Sequence, residues 1–317
     1  MAIKELFLFE KKPRRGLLVV EWVALGYLLF TAVMMAVLWG QLVNPESMVM
    51  GRIRFLAVTI AMWAVYRMVP CRLMLFLRIM VQMAFLGWWY PDTYELNRAL
   101  PNLDHLFAHL EQSIFGCQPA LLFAEKMPWG WFSELMCLGY ASYYSLMVVV
   151  AIYYFCWRQK EFVMATSVIL VSFFAYYVVF DLLPVTGPQY YYLAAGTDQI
   201  AAGVLPDVGN WFLTHSEALD VPGWKDGFCY HLVESAHAAG ERPTAAFPSS
   251  HVGITTILML LALRTGDRRL VGVMLPFYVL MCFATVYIMA HYAIDAFAGL
   301  LTGIMLYYLL THCNLDR

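Results

Sequence analysis

Charge is what this sequence has least of. Lys, Arg, Asp and Glu make up 13% of the 317 residues, about half the roughly 25% of an ordinary soluble domain. The net charge of −2 offers no polycation to a phosphate backbone, which excludes nucleic acid as a partner. The seven cysteines form no CxxC pair and no metal-ligand spacing. Cys117 and Cys229 fall on the same predicted side, where one disulfide is conceivable. His215, His231 and His237 share a segment but match no zinc pattern, so neither metal nor cofactor is expected. Internal repeats, low-complexity runs and a second, soluble domain are also missing. The Lys11-Lys12-Pro13-Arg14-Arg15 cluster precedes an apolar run too long for a cleaved signal peptide, so the first span is expected to remain as an anchor.

What is present is apolar. Hydrophobic residues make up 62% of the chain and aromatics 16%, with 19 Met. A spanning helix needs about 20 mostly apolar residues. Such runs fall at roughly 17–39, 53–69, 73–90, 131–156, 161–183, 249–264, 270–290 and 292–311. Arg67, Arg72 and Arg78 crowd the junction of the second and third, which leaves open whether 53–90 forms two spans. The expected fold is all-α: a polytopic transmembrane bundle of six to eight spans with an interfacial amphipathic helix. Residues 1–98 read as N-terminal spans and 99–317 as a second membrane domain, the one that would carry any catalytic site, with an outer loop at 184–247.

Placing the N-terminus inside puts most of the Lys and Arg in cytoplasmic segments. Both ends are then inside, and the segment 184–247, His251 and His291 lie together on the non-cytoplasmic face. In the other long outer segment, 91–130, Leu103, Leu106, Phe107, Leu110, Ile114 and Phe115 recur at helical spacing. Pro128-Trp129-Gly130-Trp131 closes it as an interfacial aromatic anchor. Asp181 is a possible pocket lining, Glu21, Glu134 and Glu161 read as interfacial, and Glu234 and Glu241 read either as solvated carboxylates or as extra acids assisting a histidine.

The chemistry concentrates in Phe247-Pro248-Ser249-Ser250-His251 and His291-Tyr292-Ala293-Ile294-Asp295, each at the edge of an apolar run. Pro248 and the serines suit a helix start, whose free N–H groups and dipole attract an anion. His291 and Asp295, at i and i+4, share one helix face, where the carboxylate can orient the imidazole and stabilise its charge. Taken singly, the first pattern also fits a simple cap and the second a polar pair between packed helices. Together on one side, they point to a site.

Pro248-Ser249-Ser250-His251 resembles the Pro-Ser-Gly-His motif of the type-2 phosphatidic acid phosphatase superfamily, and His291-x-x-x-Asp295 resembles its terminal motif. The His-Tyr-x-x-Asp form and the upstream Pro184-x-x-Gly187-Pro188-x-Tyr190 are more similar to the inositol phosphorylceramide synthase branch, to which sphingomyelin synthases are related. The resemblance covers roughly residues 100–311. It implies a metal-independent double displacement: His291 as nucleophile, Asp295 orienting it, His251 as acid and then base. Ser249, Ser250, Gly253, Gln189, Tyr190 and Arg242 would hold the phosphate or headgroup. The superfamily's phosphatases also carry a Lys-x6-Arg-Pro motif and a Ser-Arg pair that clamp a phosphate dianion. Here Ser235 stands seven before Arg242, Ala284 and Thr285 fill the Ser-Arg slots, and Gln189 stands where related sequences often carry arginine.

So few cations match a singly charged phosphodiester better than a dianion. The expected activity is transfer of a phosphorylated headgroup, inositol phosphate being the sharpest guess, from a phospholipid donor to a lipid acceptor such as ceramide. The alternatives are a phosphatase for phosphatidic acid or a polyprenyl phosphate, and a non-catalytic lipid transporter. No residue pattern assigns an oligomeric state.

Overall fold

A computed structural model describes residues 3–313 and 315. Its described residues form fifteen α-helices and no strand beyond one isolated bridge, Phe9 to Cys71. The first four are α1 (Ile3–Leu6), α2 (Val19–Leu38), α3 (Pro45–Met68) and α4 (Arg72–Asn97). Four more follow: α5 (Asp104–Phe115), α6 (Pro119–Lys126), α7 (Gly130–Ala141) and α8 (Tyr143–Trp157). After α9 (Phe162–Leu182), the 184–247 segment carries α10 (Pro188–Ala195), α11 (Thr197–Ala201) and α12 (Phe228–Gly240). The chain closes with α13 (Ser250–Thr265), α14 (Arg268–Tyr287) and α15 (Ala293–His312).

Six of these helices are long and apolar enough to cross a membrane, and α7 with α8 forms a seventh candidate bent by 45° at Ser142. The 53–90 region is two separate helices, α3 and α4. The span expected over 249–264 is α13, whose sixteen residues reach only about 24 Å. The protein is an integral, multi-pass membrane protein.

Burial sorts the helices into a centre and a rim. Apolar on nearly every side, α9 and α13 are buried on nearly every side as well. By contrast α2, α14 and α15 expose Leu29, Val37, Val273, Phe283 and Leu301, the pattern of helices facing lipid. At the centre α13 packs against α8, α9, α14 and α15. Its crossing with α15 depends on glycine: a Cβ at Gly303 would lie 2.5 Å from the Gly253 carbonyl oxygen, and one at Gly299 2.3 Å from that of Ser249. Small residues let the two backbones touch, which is how helices associate where lipid supplies no hydrophobic drive.

Buried charges explain how α3 and α4 tolerate arginine. Glu21, expected at the interface, is instead fully buried and takes the Arg78 guanidinium on both carboxylate oxygens, with Nε–Oε1 at 2.6 Å. Arg52 lies two turns into α3 and makes a bidentate pair with Asp92 at 3.0 and 2.7 Å. Asp181, a possible pocket lining by sequence, is instead buried between helices and accepts the Tyr27 hydroxyl at 2.8 Å, joining α2 to α9. Cys117 and Cys229 are both free thiols.

Such pairs add little net stability, but removing one partner strands the other charge at about 3–5 kcal/mol. Arg78→Ala is therefore expected to lower the thermal midpoint of the detergent-solubilised protein severely, and the double replacement Glu21→Leu/Arg78→Met much less. Equal losses in the two variants would refute the stranded charge as the cause.

Candidate active site

Both motifs sit at helix starts, and one contact joins them. Ser249 is the N-cap of α13, its hydroxyl accepting the Val252 N–H at 3.3 Å. Its own N–H donates to the Asp295 carbonyl at 3.0 Å, which ties the start of α13 to the first turn of α15. The Gly253 N–H is already committed to the Ser249 carbonyl at 2.9 Å. That leaves Ser250 and His251 as the first-turn donors without an intrahelical acceptor. Gly253 thus belongs to the helix crossing: a Cβ there would fall 1.8 Å from the Tyr176 hydroxyl.

The crossing brings the imidazoles face to edge, with ring centroids 5.6 Å apart and His291 Nε2 at 3.4 Å from His251 Nδ1. His291 is 4% exposed, and its Nδ1 donates to the Ala246 carbonyl at 2.7 Å. That bond selects the tautomer with the Nε2 lone pair facing His251. Burial pushes the His291 pKa down to about 4, partly offset by the Ala246 bond and the Glu241 charge, so the ring is neutral near pH 7. Asp295 Oδ2 is 3.7 Å from Nδ1 and accepts the Tyr292 N–H at 2.9 Å. The ring is therefore oriented by a backbone carbonyl, and the carboxylate closes the first turn of α15.

His251 is held by groups that spacing in the sequence does not reveal. Tyr140 stacks on it at 4.6 Å and Tyr143 lies tilted at 4.3 Å. These rings flank the break between α7 and α8, so the bend at Ser142 aims both of them at the imidazole. Two non-glycine residues with positive φ, Ala245 at 67° and Met289 at 62°, sit beside the site. Each such conformation costs on the order of 1–3 kcal/mol. The first precedes the carbonyl that holds His291, and the second presents a carbonyl to the Gln189 N–H at 2.8 Å.

Helix α5 supplies the grip on the His291 corner. Leu106, Leu110, Ile114 and Phe115 are exposed on one side, while Asp104, Ala108 and Glu111 are buried on the other. Asp104 takes the Thr186 N–H (2.7 Å) and hydroxyl (2.8 Å) and the Asn102 amide (2.7 Å) on Oδ2. Its Oδ1 takes the Gly187 N–H (2.9 Å) and the Tyr292 hydroxyl (3.0 Å). Glu111 accepts the Ala293 and Ile294 N–H groups, both at 3.1 Å, and so caps α15 from outside. Burial raises both carboxyls, Glu111 to about 7, against the lowering effect of these donors. The sequence signal was an acid at i and i+7 on the side opposite the apolar residues.

The outer segment adds a second carboxylate to the site. Glu241, by sequence a solvated acid or an aid to a histidine, is half-buried and pairs with His237 Nε2 at 2.7 Å. It also accepts the Gln189 amide and the Tyr140 hydroxyl, each at 3.3 Å. Burial would raise its pKa, but the His237 hydrogen bond and charge, with His251 and Gln189, hold it below the usual carboxylate range. Gln189 and Tyr190 are both buried at the start of α10. Arg242 is exposed, its guanidinium donating to the Glu241 carbonyl at 2.9 Å. Lys225 pairs with Asp220, and Arg98 with Glu95. Among the described residues no Lys or Arg makes a hydrogen bond or ion pair with either imidazole.

A comparison with the curated proteins gave no match, and neither did one with the solved structures. The family model of the PAP2 superfamily matches residues 105–309, more than half of the chain, from the first turn of α5 almost to the end of α15. That interval contains His251, His291 and Asp295. Members of the superfamily are phosphatases or phosphotransferases, and the shared span shows that this chain belongs to the PAP2 superfamily.

Proposed function

We propose that this protein transfers a phosphorylated headgroup, inositol phosphate in the most specific form of the reading, from a phospholipid donor to the hydroxyl of a lipid acceptor such as ceramide. The observation that carries it is the pair of imidazoles at 3.4 Å with no cationic side chain bonded to either among the described residues. Two imidazoles suffice for a double displacement. A phosphomonoester dianion needs fixed positive charge, whereas a phosphodiester carries one negative charge and places less demand on the site.

In the first step His291 Nε2 attacks phosphorus and the P–O bond to the donor's glyceride oxygen breaks. His251, as imidazolium, gives that alkoxide its proton. In the second step neutral His251 takes the proton of the acceptor hydroxyl, whose oxygen attacks phosphorus and releases His291. Ser250 and His251 N–H groups at the start of α13 bind the non-bridging oxygens. Asp295 stabilises the positive charge of the phosphohistidine through space. Ionised Glu241 stabilises the imidazolium of His251, and Gln189 and Tyr190 line the headgroup side. The bias of Lys and Arg toward the opposite helix ends supports a site facing away from the cytosol.

The test uses purified protein in detergent with a radiolabelled inositol phospholipid, with and without ceramide, beside a phosphatidic acid hydrolysis assay. Ceramide-dependent label transfer is expected, and His291→Ala is expected to abolish it. Loss of general acid–base catalysis in His251→Ala should slow it by about 10²–10⁴-fold. Phosphate release from phosphatidic acid without transfer would overturn the reading in favour of a lipid phosphatase.

Acidity supplies a second test, because the nucleophile and its grip titrate apart. His291 is neutral well above pH 4, so it sets no rate limb near neutrality. Glu111 ionises near pH 7 and, once charged, holds the Ala293 and Ile294 N–H groups more strongly. Turnover is expected to rise through about pH 7 in the wild type and to lose that limb in Glu111→Gln. For stability the sign reverses: the folded state holds this proton more tightly than the unfolded chain. Its contribution is full below pH 4.5 and is lost as the pH rises through about 7. An unchanged pH–rate limb in Glu111→Gln would remove Glu111 as its source.

A further inference from the structure

At the end of the bundle away from the two histidines, a cavity of about 400 Å³ opens between the N-terminal arm, the start of α4 and the turn between α8 and α9. Ligand pockets begin at roughly 300 Å³. Lys12, Arg14, Arg72 and Lys160 line it, drawn from three separate parts of the chain. Glu10 is the acid among its lining residues, and it is engaged by the Tyr66 hydroxyl at 2.7 Å. Exposed Arg72 lies 3.9 Å from half-buried Glu5. Lys12 and Lys160 are exposed and have no ion-pair partner among the described residues.

The wall behind these cations is apolar. Leu75, Phe155 and Phe162 line it, and Phe155 is fixed by ring contacts to Phe76 at 4.4 Å and to Phe162 at 5.3 Å. Distance separates this cavity from the candidate active site. Tyr143, which packs on His251, and Phe155 are twelve residues apart on α8, roughly 18 Å along the helix.

We propose that this cavity binds an anionic phospholipid of the leaflet opposite the active site, its phosphate among the four cations and the upper part of its acyl chains against Leu75, Phe155 and Phe162. A cationic rim on a rigid apolar wall at the ends of spanning helices matches an amphiphile of that charge. A soluble anion would leave the apolar wall unused, and a neutral lipid the cations. The site is separate from the proposed chemistry and does not depend on it.

The test titrates phosphatidylglycerol, phosphatidylcholine and glycerol 1-phosphate into the full-length protein in neutral detergent and follows the thermal midpoint. Phosphatidylglycerol is expected to raise it in the wild type and equally in His291→Ala, which separates this cavity from the active site. Phosphatidylcholine and glycerol 1-phosphate are expected to leave it unmoved. Lys12→Ala/Lys160→Ala, which alters only exposed side chains, should weaken the phosphatidylglycerol response by at least about tenfold. Equal responses to the two lipids, reproduction of the shift by glycerol 1-phosphate, its loss in His291→Ala or full retention in the double lysine variant would each overturn the proposal.

Discussion

Asp104 accepts five hydrogen bonds from groups on Asn102, Thr186, Gly187 and Tyr292, with no water-exposed surface of its own. These groups come from three segments far apart in the chain: the entry to α5, the start of the 184–247 segment and the corner that carries His291. A buried carboxylate is costly unless each lone pair finds a donor, so the three segments are held to a single arrangement. Glu111, two turns further along α5, repeats the logic on the N–H groups of Ala293 and Ile294. The nucleophile of the proposed reaction thus sits on a turn clamped from outside the α13–α15 pair that presents it.

That pair is the other half of the constraint. Glycine at 253, 299 and 303 lets α13 and α15 touch along their backbones, and the Ser249 N–H reaches the Asp295 carbonyl. Small residues matter here because helices in lipid gain nothing from hiding apolar surface from each other and depend on close packing instead. The bent α7–α8 element closes the third side by laying Tyr140 and Tyr143 on His251. Strain at Ala245 and Met289 sits in the two connections that present carbonyls to the site. It persists because neighbouring hydrogen bonds hold both connections in place.

The bundle is polarised. One end gathers imidazoles and carboxylates, with its nearby cations either exposed or engaged elsewhere; the other gathers lysine and arginine around an apolar-walled cavity. The first arrangement is the one on which the proposed diester chemistry rests. The second favours retention of negative charge at the membrane surface. Helix α8 joins the two, with Tyr143 packed on His251 near its start and Phe155 lining the cavity near its end.

Much of this was legible in the sequence. Low charge and runs of about twenty apolar residues demand helices wherever lipid leaves backbone groups no other partner. The two motifs at run edges pointed to His251, His291 and Asp295 because short-range helical geometry decides which residues share a turn. What lies beyond that range came from the tertiary structure. By sequence Glu21 is an interfacial acid and Asp181 a possible pocket lining; the partners that fix them, Arg78 and Tyr27, lie on other helices. For Glu241 the sequence leaves open a solvated acid or an aid to a histidine, and only the packing of α12 and α10 brings His237 and Gln189 onto it. Gly253 read as a phosphate ligand until its N–H was seen spent on Ser249 and its missing Cβ occupied by Tyr176. Even the orientation of His291 passed from Asp295, four residues away, to the carbonyl of Ala246, forty-five residues back. The reason is physical: periodicity and capping are set within one or two turns of chain, whereas the partner of a buried polar group is set by which distant helix fills the space beside it.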